Sequence, residues 1–105
     1  LGDVPSSLAS KVRVMQGLEL VTLTPAVRLE RGVKSNQGAL VYRVAAEIAQ
    51  QTGLQAGDVI YGIDQRAVSR AEDVAPLFTA AQPRQGARVW IERGGRNYIL
   101  AVPLK

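Results

Sequence analysis

No cysteine and no histidine occur among the 105 residues. A Ser-His-Asp triad, a Cys-His pair, a thiol redox couple and a zinc site with His or Cys ligands are therefore all outside what the sequence can build. Aromatic residues are few, with one Trp, one Phe and three Tyr, which leaves little surface on which nucleic-acid bases could stack. Apolar runs are short, about five residues at Gly38 to Tyr42 and seven at Tyr98 to Leu104, against the roughly 20 that a membrane-spanning helix needs. No cleavable signal peptide opens the sequence, so it reads as cytosolic or as a fragment of something longer. Asp58 and Asp64 flank one predicted strand far from any cleft signal, and paired-carboxylate catalysis has no support.

The residues that are present suit one domain. With 47% of them hydrophobic, a chain of this length buries a core without disulfides or metal, and it is too short for two domains. Thirteen Lys and Arg against nine Asp and Glu give a net charge of +4. The arginines are scattered from Arg13 to Arg96 instead of forming one stripe, which argues against a nucleic-acid footprint. Arg93-Gly94-Gly95-Arg96 reads as a type I′ or II′ hairpin turn, not as an RGG element.

Local patterns divide the chain. Residues 1–11 read as a linker or disordered arm and 12–105 as the folded domain. Val12 and Val14 alternate with charged residues, and Leu18, Leu20 and Thr22 continue the period-2 face, which predicts a strand with a kink or loop at Gly17. Thr24-Pro25 starts a short helix and Gly32 stops it. Gly38 to Val44 is a strand, Ala45 to Thr52 a helix closed by Gly53, and Asp58 to Asp64 a second buried strand. Gln65-Arg66 turns the chain into a short strand, Ala67-Val68. Ser69 with Glu72 forms a capping box that opens a helix to about Ala81. On that helix Val74, Leu77 and Ala81 make the core-facing stripe. Residues 87–93 and 96–104 form the closing hairpin.

Within this frame, Gly53-Leu54-Gln55-Ala56-Gly57-Asp58-Val59-Ile60-Tyr61-Gly62-Ile63-Asp64 resembles the most characteristic segment of PDZ domains. The spacing has a physical basis. Leu54 packs the helix end, Gly57 permits a positive-φ turn, Asp58 caps backbone donors, and Val59, Ile60 and Ile63 bury the strand. Met15-Gln16-Gly17-Leu18-Glu19-Leu20-Val21-Thr22-Leu23-Thr24-Pro25 is similar, without a gap, to the start of PDZ domains from bacterial HtrA/DegP-like serine proteases. The resemblance runs from about residue 12 to 104. It implies an α+β, mainly β, PDZ-like fold: a five- to six-stranded antiparallel partly open barrel or sandwich capped by two to three short helices.

The resemblance also implies a function. PDZ domains bind C-terminal peptides by β-strand addition, and loop amides capture the terminal carboxylate. On the gap-free alignment Gln16, Gly17 and Leu18 supply those amides, and Leu18, Glu19, Leu20, Val21 and Thr22 pair with the peptide. A second register, Gly17-Leu18-Glu19-Leu20, looks like the animal Gly-Leu-Gly-Phe loop and keeps Leu18 and Leu20 on the same face; both also suit plain core. Ala71, Ala75 and Phe78 line the groove side of the second wall, with Phe78 either closing the pocket or filling core. Three positions depart from the family pattern. Gln16 replaces an apolar residue, Gln65 replaces a Gly, and Pro76 removes a hydrogen bond inside the groove helix and bends it.

The expected function is a peptide-recognition and regulatory module of an HtrA-like serine endopeptidase in the bacterial periplasm or cell envelope. The module itself is not catalytic and uses no cofactor or metal. Its expected partners are C-terminal or extended substrate peptides and an upstream protease domain in a homo-oligomeric parent, with no nucleic acid and no membrane insertion. The alternatives are a structural PDZ domain that mediates oligomer assembly, or a module of another envelope protease or secretion component.

Overall fold

A computed structural model describes residues 9–104; most of the arm expected over residues 1–11 lies outside the described residues, as does Lys105. The strands are β1 (Val12–Val14), β2 (Leu18–Thr22), β3 (Ala39–Val44), β4 (Val59–Ile63), β5 (Arg66–Ala67), β6 (Gly86–Arg93) and β7 (Arg96–Pro103). The helices are α1 (Pro25–Arg31), α2 (Ala46–Thr52) and α3 (Val74–Ala81), with 3₁₀ turns at Ala71–Asp73 and Gln82–Arg84. All pairings are antiparallel in the order β1-β2-β3-β4-β6-β7, and β5 pairs with β4. The expected strands become seven because, of the kink or loop expected at Gly17, the chain forms a loop that reverses it and splits the first strand in two.

The local signals act as their chemistry dictates. Thr24 Oγ1 accepts the Val27 amide at 3.2 Å, Pro25 occupies the first turn of α1, and Gly32 ends the helix in the left-handed region. Gly57 takes φ 98°, a value that a residue with a Cβ adopts only with strain. Gly94 and Gly95 have φ of 59° and 79°, so the β6–β7 turn is type I′.

Two apolar clusters sandwich the sheet. The larger joins Leu18, Leu20, Val41, Ile60, Ile63, Val89 and Ile91 to Val74, Phe78 and Ala81 of α3. The smaller puts Val21, Leu40 and Val59 against Leu23 and Val27, at and just before α1. Alternation along β2 thus sends Leu18 and Leu20 to the first cluster and Val21 to the second. A bulge interrupts the β2–β3 register between Glu19, which pairs with Arg43, and Leu20, which pairs with Val41.

The start of α3 differs from the sequence expectation. Ser69 and Glu72 do not form a capping box. Asp73 Oδ2 accepts the Ser69 and Arg70 amides at 3.0 and 3.1 Å. The Ala71 amide donates to Thr22 Oγ1 at 2.9 Å, and that hydroxyl donates in turn to Glu72 at 3.2 Å. The helix is therefore capped from β2, across the sheet. The entry is a 3₁₀ turn over Ala71–Asp73. Val74, Phe78 and Ala81 are buried, while Leu77 is only half-buried. Pro76 is accommodated because it lies in the first turn of α3, where amides lack helical partners anyway.

Candidate functional site

The site expected from the sequence lies between β2 and α3. One edge of β2 is paired with β3, and the other carries β1 in the register Val12 with Leu20, Arg13 with Glu19 and Val14 with Leu18. β1 runs antiparallel to β2 and ends at the loop, in the direction a C-terminal peptide takes when it adds to such an edge. Val12 and Val14 share the inward face with Leu18 and Leu20, and Val14 is buried in the main core. Arg13 and Glu19 share the outer face, with Arg13 Nη2 3.7 Å from Glu19 Oε2.

The β1–β2 loop is a tight turn. Met15 and Gln16 sit at φ 56° and 58°, and the Gly17 amide donates to the Val14 carbonyl at 3.4 Å. For residues other than Gly, Asn or Asp the left-handed region costs about 1–2 kcal/mol each, so the turn is strained. Gly17 itself is required by packing. A Cβ there would lie 2.9 Å from Ala45 Cβ and 3.1 Å from Ile48 Cγ1. Its carbonyl accepts the Ala45 amide at 2.7 Å, which ties the loop to the start of α2.

A cavity of about 800 Å³ opens at the loop end of this groove, and Met15, Gln16, Ile48, Ala75, Phe78 and Leu104 are among its walls. Arg13 and Val14 of β1 line the same cavity as Thr79 of α3 and Gln82 of the 3₁₀ turn after it. Of the three α3-side residues expected from the sequence, Ala75 and Phe78 line it, whereas Ala71 is buried beneath the Thr22 cap. Phe78 serves both as core and as cavity wall, being 5% exposed.

The PDZ domain family model matches residues 11–104. This chain belongs to the PDZ family.

Among curated relatives, the PDZ domain is 30% identical over 95 residues to a putative serine protease, HhoB, of Synechocystis. It is also 30% identical over 93 residues to the mitochondrial serine protease HTRA2 of Bos taurus. Each match covers 82% of this chain but only 23% and 20% of those proteins. The domain therefore spans about a fifth of the length of these relatives. Among solved structures it resembles the HtrA-type protease AlgW with decapeptide, at TM-score 0.70 and 27% identity over 83% of this chain and 27% of that one. It also shares the fold of the HtrA3 PDZ domain bound to the phage-derived ligand FGRWV, at TM-score 0.67 and 21% identity over 90% of this chain and 84% of that one.

Two buried carboxylates, Asp58 and Glu92, tie loops to the sheet. Asp58 is 1% exposed, and Arg93 grips it through two contacts of 2.7 Å while donating to the Gly53 carbonyl at 2.8 Å. Hydrogen bonding to Asp58 pushes the Arg93 guanidinium up from its ordinary value. Asp58 Oδ2 also accepts the Gln55 amide at 2.8 Å, the turn-capping role expected of it. Glu92 accepts from the Lys34 and Ser35 amides, both at 2.8 Å, and from the Ser35 hydroxyl at 2.6 Å. Burial raises the Glu92 carboxyl, but these donors outweigh it and leave the group below its ordinary value. The amide of Arg88 holds Asp64 low, and the amide of Ser69 does the same for Asp73.

Sequence reasoning missed three features of the site. Ile48 and Gln51 of α2 and Leu104 after β7 join the cavity wall from distant segments. β1 is a separate strand on the groove edge, although the Val12-x-Val14 alternation that marks it is visible. The cross-sheet cap at Thr22 has no local signal, because its partner Ala71 lies 49 residues away.

Proposed function

We propose that this PDZ domain recognises extended peptides by strand addition to the outer edge of β2, as the peptide-reading and regulatory module of an HtrA-like serine endopeptidase. The observation that carries this reading is the seated strand itself. β1 lies antiparallel along the outer edge of β2, ends at the turn that holds Gly17, and turns Val12 and Val14 to the same face as Leu18 and Leu20, which supports a like placement for a peptide. The relatives with which the domain shares sequence are serine proteases, and the AlgW structure carries a decapeptide. Gln16, Gly17 and Leu18 would face the peptide carboxylate, Leu18 to Thr22 its backbone, and Ala75 and Phe78 its terminal side chain, with Ala71 buttressing the wall from below. Residues 1–11 would link to an upstream protease domain, in a homo-oligomeric parent of the bacterial periplasm or envelope.

NMR titration with short peptides ending in a free apolar residue tests this reading. Saturable shifts concentrated at Gln16 to Thr22 and Ala75 to Phe78, lost when the peptide is amidated, are expected. An equal response to both peptide forms would refute carboxylate capture. Because the β2 edge is already occupied, a second reading has its own support: an assembly element with a closed groove. Absence of saturable shifts up to about 1 mM peptide, equivalent to binding weaker than about −4 kcal/mol, would favour it. Concentration-dependent sedimentation would then identify the self-contact.

A further inference from the structure

The groove is not empty, and its occupant has a definite chemistry. Reading back from the loop, β1 presents Val14, Arg13 and Val12. Val14 lies opposite Leu18, where a terminal residue would sit, and its side chain enters the core beside Phe78. Its carbonyl receives the Gly17 amide, the donor a terminal carboxylate would need. One position back, the side chain turns outward to Glu19. Two positions back, Val12 returns to the inner face opposite Leu20 and packs against the core.

β1 is also built to leave. It has three residues, sits at the end of the sheet, and is closed by a turn that places two consecutive residues, Met15 and Gln16, in the left-handed region. Short edge elements with strained connections fall at the low-stability end of a structure. Ahead of β1 the chain is anchored elsewhere. Ala9 packs on the second core, and Lys11 Nζ lies 4.5 Å from the centre of the Tyr42 ring. Release of β1 therefore need not disturb either core's central residues.

We propose that β1 is a resident pseudo-ligand. It holds the groove in the place of a peptide terminus, and its apolar–basic–apolar sequence is the chemistry of the ligand that displaces it, with Glu19 selecting the basic penultimate residue. The inference rests on the peptide-binding reading above and adds to it both a competitor and a preference. A groove closed nine-tenths of the time would weaken the apparent affinity about tenfold. The Arg13–Glu19 contact adds little stability, since the arginine side chain is 81% exposed. Its worth is in discrimination, because an acidic penultimate residue would face Glu19 with like charge.

The test uses the whole chain, which has no native cysteine. Arg13→Cys with Glu19→Cys places a thiol pair at directly opposed positions, within reach of a disulfide. The probe is a labelled hexapeptide ending in Val-Thr-Val with a free carboxylate, neutral at the position that faces residue 19 because this variant lacks Glu19, read by fluorescence anisotropy. Reduced protein should bind it, and oxidised protein should bind at least tenfold more weakly. Equal binding in both states would overturn the pseudo-ligand while leaving peptide recognition standing. No binding in either state would overturn peptide recognition and this proposal with it.

A second comparison needs no disulfide. Arg13→Glu, an exposed change that repels Glu19, should tighten binding of a peptide ending in Val-Arg-Val by about three- to tenfold. Glu19→Arg should invert the preference between peptides ending in Val-Arg-Val and Val-Glu-Val. An unchanged ratio would remove Glu19 from the proposal, and an unchanged affinity for Arg13→Glu would remove the competition.

Discussion

Replacing Arg93 by Ala isolates the buried ion pair that holds the β3–β4 region to the closing hairpin. In the native domain Asp58 is 1% exposed, and both of its oxygens meet Arg93 at 2.7 Å. The variant would leave a buried carboxylate with one amide donor, that of Gln55. Breaking a buried pair from one side costs about 3–5 kcal/mol. The lower end applies here, because the Gln55 bond survives and the Arg93 side chain, at 32% exposed, is partly hydrated to begin with. For a domain of this size about 3 kcal/mol corresponds to a fall in Tm of roughly 12–24 °C.

Thermal and urea melts followed by circular dichroism would measure it. The control is Arg70→Ala, whose partner Asp73 lies 3.6 Å away with the arginine side chain 67% exposed; about 1 kcal/mol or less is expected. Arg93→Lys should rescue only part of the loss, since an ammonium cannot hold both Asp58 oxygens and the Gly53 carbonyl in one planar fork. If Arg93→Ala melted within a few degrees of the parent, the pair would be an ordinary surface contact and the argument from burial would fail.

Glu92→Gln should cost about 2 kcal/mol at neutral pH, because hydrogen bonds to a charged acceptor are replaced by neutral ones. The Glu92 carboxyl is held below its ordinary value of 4.5, so its stabilising contribution is present above that pH and lost as pH falls through the lower folded-state value. Melts from pH 7 to 3 should therefore show a steeper acid decline in the parent than in Glu92→Gln, and parallel curves would contradict the assignment. Thr22→Val removes the hydroxyl that accepts from Ala71, and a loss of about 1 kcal/mol with faster amide exchange at residues 71–73 is expected. Gly17→Leu forces a side chain toward Ala45 and Ile48, where even a Cβ lies at 2.9 and 3.1 Å. It should destabilise by about 1–3 kcal/mol and abolish peptide-induced NMR shifts at the loop. Retention of those shifts would place the ligand elsewhere.

The parts of the fold legible in the sequence are those governed by neighbours along the chain. Thr24-Pro25 and Gly32 bound α1 through a cap, a fixed φ and a left-handed stop. The segment from Gly53 to Asp64 specifies a helix end, a positive-φ turn and a buried strand within one stretch. Gly94-Gly95 sets the last hairpin. Each is a short-range steric or hydrogen-bonding preference, and the family pattern rests on the same residues.

The rest depended on partners far apart in sequence. Arg93 finds Asp58 across 35 positions and Glu92 finds Lys34 across 58. Nothing near any of these residues distinguishes a buried clamp from a solvated charge. Ser69 and Glu72 have the spacing of a cap, yet the local Asp73 takes the Ser69 and Arg70 amides, and Thr22, brought by the sheet from 49 residues away, takes that of Ala71. Phe78 joins Val74 and Ala81 in the core while Leu77 is half-buried, because both positions lie on one helical stripe and only tertiary packing decides which of them is covered. The occupied edge of β2 lies furthest from sequence reasoning. The alternation at Val12 and Val14 determined that the segment is a strand with an apolar face. Only the reversal at Met15-Gln16-Gly17 decided that this face turns back into the groove. Side-chain alternation fixes a strand's faces but not the neighbour it pairs with, and pairing is settled by which edge the assembled sheet leaves open.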